Sequence, residues 1–191
     1  MHASLADILA DLAQNSVEAG ARRISISFSE KPDEIRFAVE DDGKGMDDDT
    51  LAKALDPFWS DGVKHPGRRV GLGIPFLRQT ADQCGGKASI VSKPGEGTRI
   101  EAVFPADNVD LPPVGNLVLL WLQCLSFEGS YGMDIHRRRE LVGREDAYRI
   151  DRDEMSDALG GLEDIGALGL LKEYIVSLEE SLNEEQREGE K

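Results

Sequence analysis

Hydrophobic residues recur with two different periods along the first half of the chain. Leu5, Ile8, Leu9 and Leu12 follow helical spacing, which places them on one face. Ser4 followed by Asp7 is a candidate capping box ahead of that stripe, and Gly20 a candidate stop after it. Asp11, Asn15 and Glu18 share a face beside the stripe. Arg23–Phe28 and Ile35–Val39 alternate apolar and polar around Pro32-Asp33, which predicts a strand, a turn and a partner strand. Asp47–Leu55 predicts a short helix whose acidic first turn suits the helix dipole. Phe58–Val70 has little periodicity and reads as a loop. Leu72–Cys84 is helical in pattern, with Ile74, Leu77 and Ala81 on one side and Gly85-Gly86 ending it. Ala88–Ser92 and Thr98–Phe104 predict two strands joined by a turn at Pro94–Gly97. This order predicts an α+β fold, a two-layer sandwich with one mostly antiparallel sheet under helices.

The second half begins with Asp107–Pro113, a linker by composition. Leu117, Leu120, Trp121, Cys124 and Leu125 predict an amphipathic helix. Met133–Arg139 and Asp146–Ile150 predict a hairpin around Val142-Gly143, and Asp153–Leu159 a short helix. Leu171, Ile175, Leu178 and Leu182 predict a last amphipathic helix, followed by a charged tail over Glu184–Lys191. The division expected is a first domain over residues 1–106 and a small, acidic α+β extension over 107–191, which packs on the first domain or docks a partner.

Composition narrows the function classes. The chain has 191 residues, 40% of them hydrophobic, enough to build a core. Its formal charge is −15, split as −4 over residues 1–105 and −11 over the remainder. That balance opposes binding to nucleic acid or to an anionic membrane surface. Cys84 and Cys124 lie in apolar or helical contexts and read as small buried hydrophobes. The N-terminus shows no leader pattern and Leu117–Leu122, the longest apolar run, is too short to span a bilayer. A soluble, cytoplasmic protein is expected. His2, His65 and His136 are scattered and predict no metal site.

Candidate chemistry concentrates in three segments. Glu40-Asp41-Asp42-Gly43-Lys44-Gly45-Met46 places a carboxylate at a strand end, followed by alternating glycines. Asp11-Leu12-Ala13-Gln14-Asn15 lies on the helix before it, and Gly71-Leu72-Gly73-Ile74 opens the helix after it. Alone, a carboxylate with spaced glycines is a turn or a helix cap; in conjunction the three describe a nucleotide pocket. Together with Pro57-Phe58-Trp59 and with Lys93–Thr98 running into a strand that ends at Pro105, they resemble the ATPase superfamily of type II topoisomerases, heat-shock chaperones, sensor histidine kinases and mismatch-repair ATPases (GHKL ATPases, Bergerat fold). The resemblance covers residues 3–105. The helix segment beginning at Asp11 is most similar to its mismatch-repair form; Pro57-Phe58-Trp59, Gly71–Ile74 and the stretch from Lys93 to Pro105 are most similar to sensor kinases.

The resemblance implies ATP and Mg²⁺ as ligands. Asp41 would accept the exocyclic amine of adenine, with Gly43, Gly45 and Met46 close to the base and Thr98 near it through its hydroxyl. Asn15 would offer a neutral oxygen to Mg²⁺, with Glu18 and Ala19 on the same helix completing that side of the pocket. Gly71, Leu72, Gly73 and Ile74 would place amides and a helix dipole at the phosphates, and Lys64 and Arg68 in the intervening loop either reach the γ-phosphate or stand as solvated loop charges. Asp11 occupies the position of a general base in the hydrolytic families, where the residue is Glu. The shorter Asp leaves slow hydrolysis, a hold on Mg²⁺ through one of its waters and simple helix solubility all open. Sensor kinases carry a phosphoacceptor His on a helix before the first motif, so self-phosphorylation is not expected here. The expectation is ATP hydrolysis or phosphoryl transfer to a partner protein; the alternative is a nucleotide-responsive switch acting through such a partner. A homodimer is among the expected states, since many relatives dimerise.

Overall fold

The computed structural model describes residues 4–56, 73–141 and 144–182. Helix α1 spans Leu5–Glu18 and buries Leu5, Ile8, Leu9 and Leu12. Burying each such side chain is worth about 1.5–3 kcal/mol. The Asp7 amide donates to Ser4 Oγ at 3.2 Å, and that hydroxyl donates to the Asp7 carboxylate at 2.7 Å, so the predicted cap forms. Two more first-turn amides, those of Leu5 and Ala6, donate to the carbonyls of Pro113 and Val114, both at 2.9 Å. The segment read as a linker therefore pins the start of α1 by satisfying donors a helix leaves open.

Strands β1 (Arg23–Glu30) and β2 (Glu34–Asp41) form the predicted hairpin. Their alternation sends Ile24, Ile26, Phe28, Ile35, Phe37 and Val39 inward. Helix α2 (Asp48–Ala54) is capped by Asp47, whose carboxylate accepts the Thr50 amide at 2.8 Å. Helix α3 (Gly73–Gln83) buries Ile74, Leu77 and Ala81, and β3 (Lys87–Lys93) and β4 (Gly97–Pro105) follow as an antiparallel pair. Helices and sheet form two layers with aromatic contacts running across the core. Phe28 and Phe37 lie 6.2 Å apart and Phe37 and Phe104 5.8 Å apart, between ring centroids. The opposite face of the sheet is polar, tied by pairs such as Arg36 with Glu101 at 2.6 Å.

The second half contributes α4 (Leu117–Leu125), β5 (Gly132–Leu141), β6 (Arg144–Asp151), α5 (Arg152–Leu159) and α6 (Ile165–Ser181). Its strands do not form a separate sheet. One sheet of six strands runs β3-β4-β2-β1-β5-β6, with β5 parallel to β1 and every other pair antiparallel. The physical reason is the inward face of β5: Met133 and Ile135 continue the row of Ile24 and Ile26 opposite them. Helices α4 and α6 cover this part of the sheet, with Trp121 edge-on to Phe28 at 6.3 Å. Cys84 and Cys124 are both buried and unpaired with each other, and burial holds the Cys124 thiol well above its ordinary range. Among the described residues no helix is long and apolar enough to cross a membrane, and no cluster of three His, Cys, Asp or Glu could hold a metal.

Candidate functional site

The motif residues gather where the end of β2 meets α1. Asp41 closes β2 and is 9% exposed. Its Oδ1 accepts the Gly43 amide at 2.9 Å, and its Oδ2 accepts the Ser16 hydroxyl at 2.6 Å. Both oxygens thus face donors, the setting of a fixed acceptor, and each keeps lone pairs for a ligand. The helix cap expected if Asp41 were merely structural belongs to Asp47 instead. Thr98 stands opposite Asp41 across the β2/β4 ladder. Its hydroxyl lies 2.9 Å from Ser92 Oγ, which also accepts the Met46 amide at 2.8 Å. One side-chain network therefore ties the turn after β2 to the β3/β4 pair.

The glycine run passes tightly between neighbours. Gly45 takes a φ of +63°, and a Cβ there would stand 1.8 Å from the Lys93 carbonyl oxygen, so no side chain fits without moving backbone. Lys44 donates its amide to the Ala19 carbonyl at 3.1 Å and accepts the Gly95 amide at 2.8 Å, fastening the loop to α1 on one side and the β3/β4 turn on the other. The Lys44 side chain is exposed, as its position between glycines predicts.

The neighbouring carboxylate has a different role. Asp42 Oδ1 accepts the Arg22 and Arg23 amides at 2.7 and 2.8 Å. The Arg23 amide above all, then that of Arg22, holds the carboxyl below its usual range. A depressed pKa gives stability that is present above the unfolded value, about 4, and lost as pH falls through the folded one. The melting temperature of the wild type should accordingly fall more between about pH 6 and about pH 3 than that of Asp42→Asn; equal falls would remove the effect.

On α1, Asp11, Asn15 and Ala19 are each half-buried and follow one another at helical spacing. Asn15 makes no side-chain hydrogen bond among the described residues, leaving its amide oxygen available. Glu18 is exposed and accepts from Gln14 Nε2 at 3.1 Å. Gly73 opens α3 against α1: a Cβ on it would come within 2.9 Å of Asp11 Cβ and 3.3 Å of Leu12 Cδ2. The first turn of α3 therefore rests beside Asp11, with Ile74 buried behind it. Lys64, Arg68, Gly71 and Leu72 lie outside the described residues.

The sequence did not single out Ser16 or Ser92, although Ser16 holds Asp41 and Ser92 holds the turn after β2. Ser16 had one signal: it is a polar residue one turn beyond Leu12 on the apolar stripe, and it is only 4% exposed. The residues present fit a nucleotide. A buried acceptor stands at a strand end, backbone too tight for side chains lies beside it, and the neutral amide oxygen of Asn15 and a helix start flank it. The fit to Mg²⁺ rests on Asn15, which agrees with an ion that keeps waters and takes few protein ligands.

Residues 2–108 match the family described as histidine kinase-, DNA gyrase B- and HSP90-like ATPase. The alginate biosynthesis sensor protein KinB of Pseudomonas aeruginosa is 28% identical over 99 residues, which are 52% of this chain and 16% of that protein. The sensor histidine kinase ZraS of Escherichia coli O157:H7 is 28% identical over 113 residues, 58% of this chain and 24% of that one. The chain thus spans a quarter or less of these curated relatives. Among solved structures, the N-terminal domain of a DNA repair protein covers 86% of this chain and 58% of its own, with a TM-score of 0.51 and 15% identity. That likeness concerns the fold, and it extends into the second half of the chain. The chain belongs to the histidine kinase-, DNA gyrase B- and HSP90-like ATPase family, and residues 2–108 are a histidine-kinase-like ATP-binding domain.

Proposed function

We propose that this protein binds Mg-ATP between α1, the β2 end and the start of α3, and that it hydrolyses ATP slowly in the cytoplasm. The observation that carries the reading is Asp41, a buried carboxylate pinned by Ser16 and Gly43 at the end of a central strand. Adenine is recognised by its amine donating to Asp41, and Thr98 borders the same spot from β4. Asn15 faces the triphosphate end, where its amide oxygen would hold Mg²⁺; the ion's contribution is to neutralise charge on the phosphate oxygens. The first turn of α3, resting on Asp11, directs its dipole toward the same end. Asp11 is then the group placed to take a proton from an attacking water.

A second reading follows from the likeness to sensor kinases: the phosphoryl group passes to a protein partner, or ATP acts as a switch for that partner. The charge of −15 favours a protein over nucleic acid in that role.

Isothermal titration of the wild type and Asp41→Asn with ATP tests the site. Replacing the carboxylate should weaken binding more than tenfold, since a charge-assisted hydrogen bond is worth about 1.5–3 kcal/mol. Unchanged affinity would remove Asp41, and with it the pocket. Tight binding without phosphate release, followed by release on addition of a partner, would favour the second reading.

A further inference from the structure

Ser16 stands next to Asn15 on α1 but points the other way, into the core beneath Asp41. Its hydroxyl has one proton and two acceptors in range. Leu12 O lies at 3.4 Å and Asp41 Oδ2 at 2.6 Å, so the shorter, charge-assisted bond takes it. The Gly43 amide holds the other oxygen at 2.9 Å. With a donor on each oxygen the carboxylate cannot turn about its Cβ–Cγ bond without breaking one of them. Both donors are anchored outside β2 itself, one on the helix and one in the following turn. Asp41 is therefore an acceptor of fixed direction.

We infer that Ser16 is a positioning and specificity-determining residue for the purine, acting through Asp41; this rests on the nucleotide reading above. A carboxylate of fixed direction rewards a ligand with an N–H donor at one place. Adenine carries an exocyclic amine, whereas guanine presents a carbonyl oxygen there, and an acceptor facing an acceptor is penalised. A carboxylate free to rotate loses part of that discrimination. The arrangement also gives α1 two tasks on adjacent residues: Ser16 sets the direction of the purine acceptor, and Asn15 faces the phosphates.

Ligand chemistry separates this from a merely structural role. Wild type and Ser16→Ala are titrated with ATP and with purine riboside triphosphate, which lacks the exocyclic amine, and each variant is checked by thermal unfolding. Ser16→Ala should weaken ATP binding about three- to tenfold, less than the loss of a bond made to the ligand itself, because Asp41 keeps the Gly43 amide and its own bond to the purine. It should leave the amine-free nucleotide within about twofold of its wild-type affinity. A poorly folded variant would lose both ligands, so the second serves as an internal control. The effect should also shrink in an Asp41→Asn background, where Ser16 no longer has its carboxylate partner. Equal losses for both nucleotides, or an unchanged Ser16→Ala effect in the Asp41→Asn background, would overturn the role of Ser16 while leaving the site standing. Asp41→Asn with full ATP affinity, or a wild type that binds no ATP, would overturn the site and this role together.

Discussion

Arg137→Met is expected to destabilise the protein by about 3–5 kcal/mol, the cost of stranding buried charges by removing one partner. Arg137 is only 2% exposed, on the inward face of β5 opposite Phe28. Its guanidinium reaches Glu30 of β1 at 3.0 Å and Glu179 of α6 at 3.4 Å, and donates to the Arg138 carbonyl at 2.6 Å. It also lies 5.3 Å from the centre of the Phe28 ring. Glu179 is further held by the Tyr148 hydroxyl and, at 3.4 Å, by Trp121 Nε1. The arginine thus fastens β1, β5 and α6 to one another. Met fills similar volume but takes the guanidinium away from two mostly buried carboxylates, leaving Glu30 with Arg139 at 3.7 Å and Glu179 with Tyr148 and Trp121. Urea unfolding reads the loss directly as a shift in midpoint. Changing the acids as well, with Glu30→Gln and Glu179→Gln, should recover part of it, because the stranded charge is gone. A midpoint for Arg137→Met within about 0.5 kcal/mol of wild type would show that the cluster holds nothing together.

That cluster marks where sequence reading stops. The inward rows of β1 and β2 are legible because every second residue is apolar and local pairing through a short turn needs no further information. The same holds for α4, whose buried residues are those of the predicted stripe, Leu117, Leu120, Trp121, Cys124 and Leu125. The hairpin of β5 and β6 was legible too. Its docking beside β1 was not, because a parallel pairing is set by contacts distant in sequence, and the inward Arg137 breaks the apolar alternation that would have advertised it. What neutralises Arg137 is Glu30, from the other half of the chain. The proposed nucleotide site divides in the same way. Asp41, the glycines and Asn15 stand out because their chemistry is unusual at those spacings. Ser16 does not, because its meaning depends on a carboxylate on another element. The start of α2 shows the converse: a local rule, an acidic run suited to the helix dipole, sufficed to find the helix, though the structure makes Asp47 its cap rather than its first residue.

Asp11→Asn is expected to lower ATP hydrolysis by about 10²–10⁴-fold, the range attributed to a positioned general base, with ATP affinity nearly unchanged. The placement supports the role in two ways. Asp11 is half-buried one turn before Asn15, on the face that carries the proposed Mg²⁺ ligand. Gly73 packs against its Cβ, so the start of α3 lies directly beside it and limits where the carboxylate can go. The substitution keeps size and polarity but removes the negative charge and with it the ability to take a proton, and it lies away from Asp41, so the adenine contacts should be untouched. The expected signature is a fall in kcat with little change in the Kd measured by titration. Asp11→Glu supplies the complementary arm. Its longer reach places the carboxylate about one ångström nearer the phosphate end, a displacement on which general-base rates depend steeply. Faster release by Asp11→Glu than by wild type would explain slow turnover as a matter of reach. Release unchanged in Asp11→Asn would assign Asp11 to the surface of α1 and leave phosphoryl transfer to a protein partner, or switching, as the reading for this site.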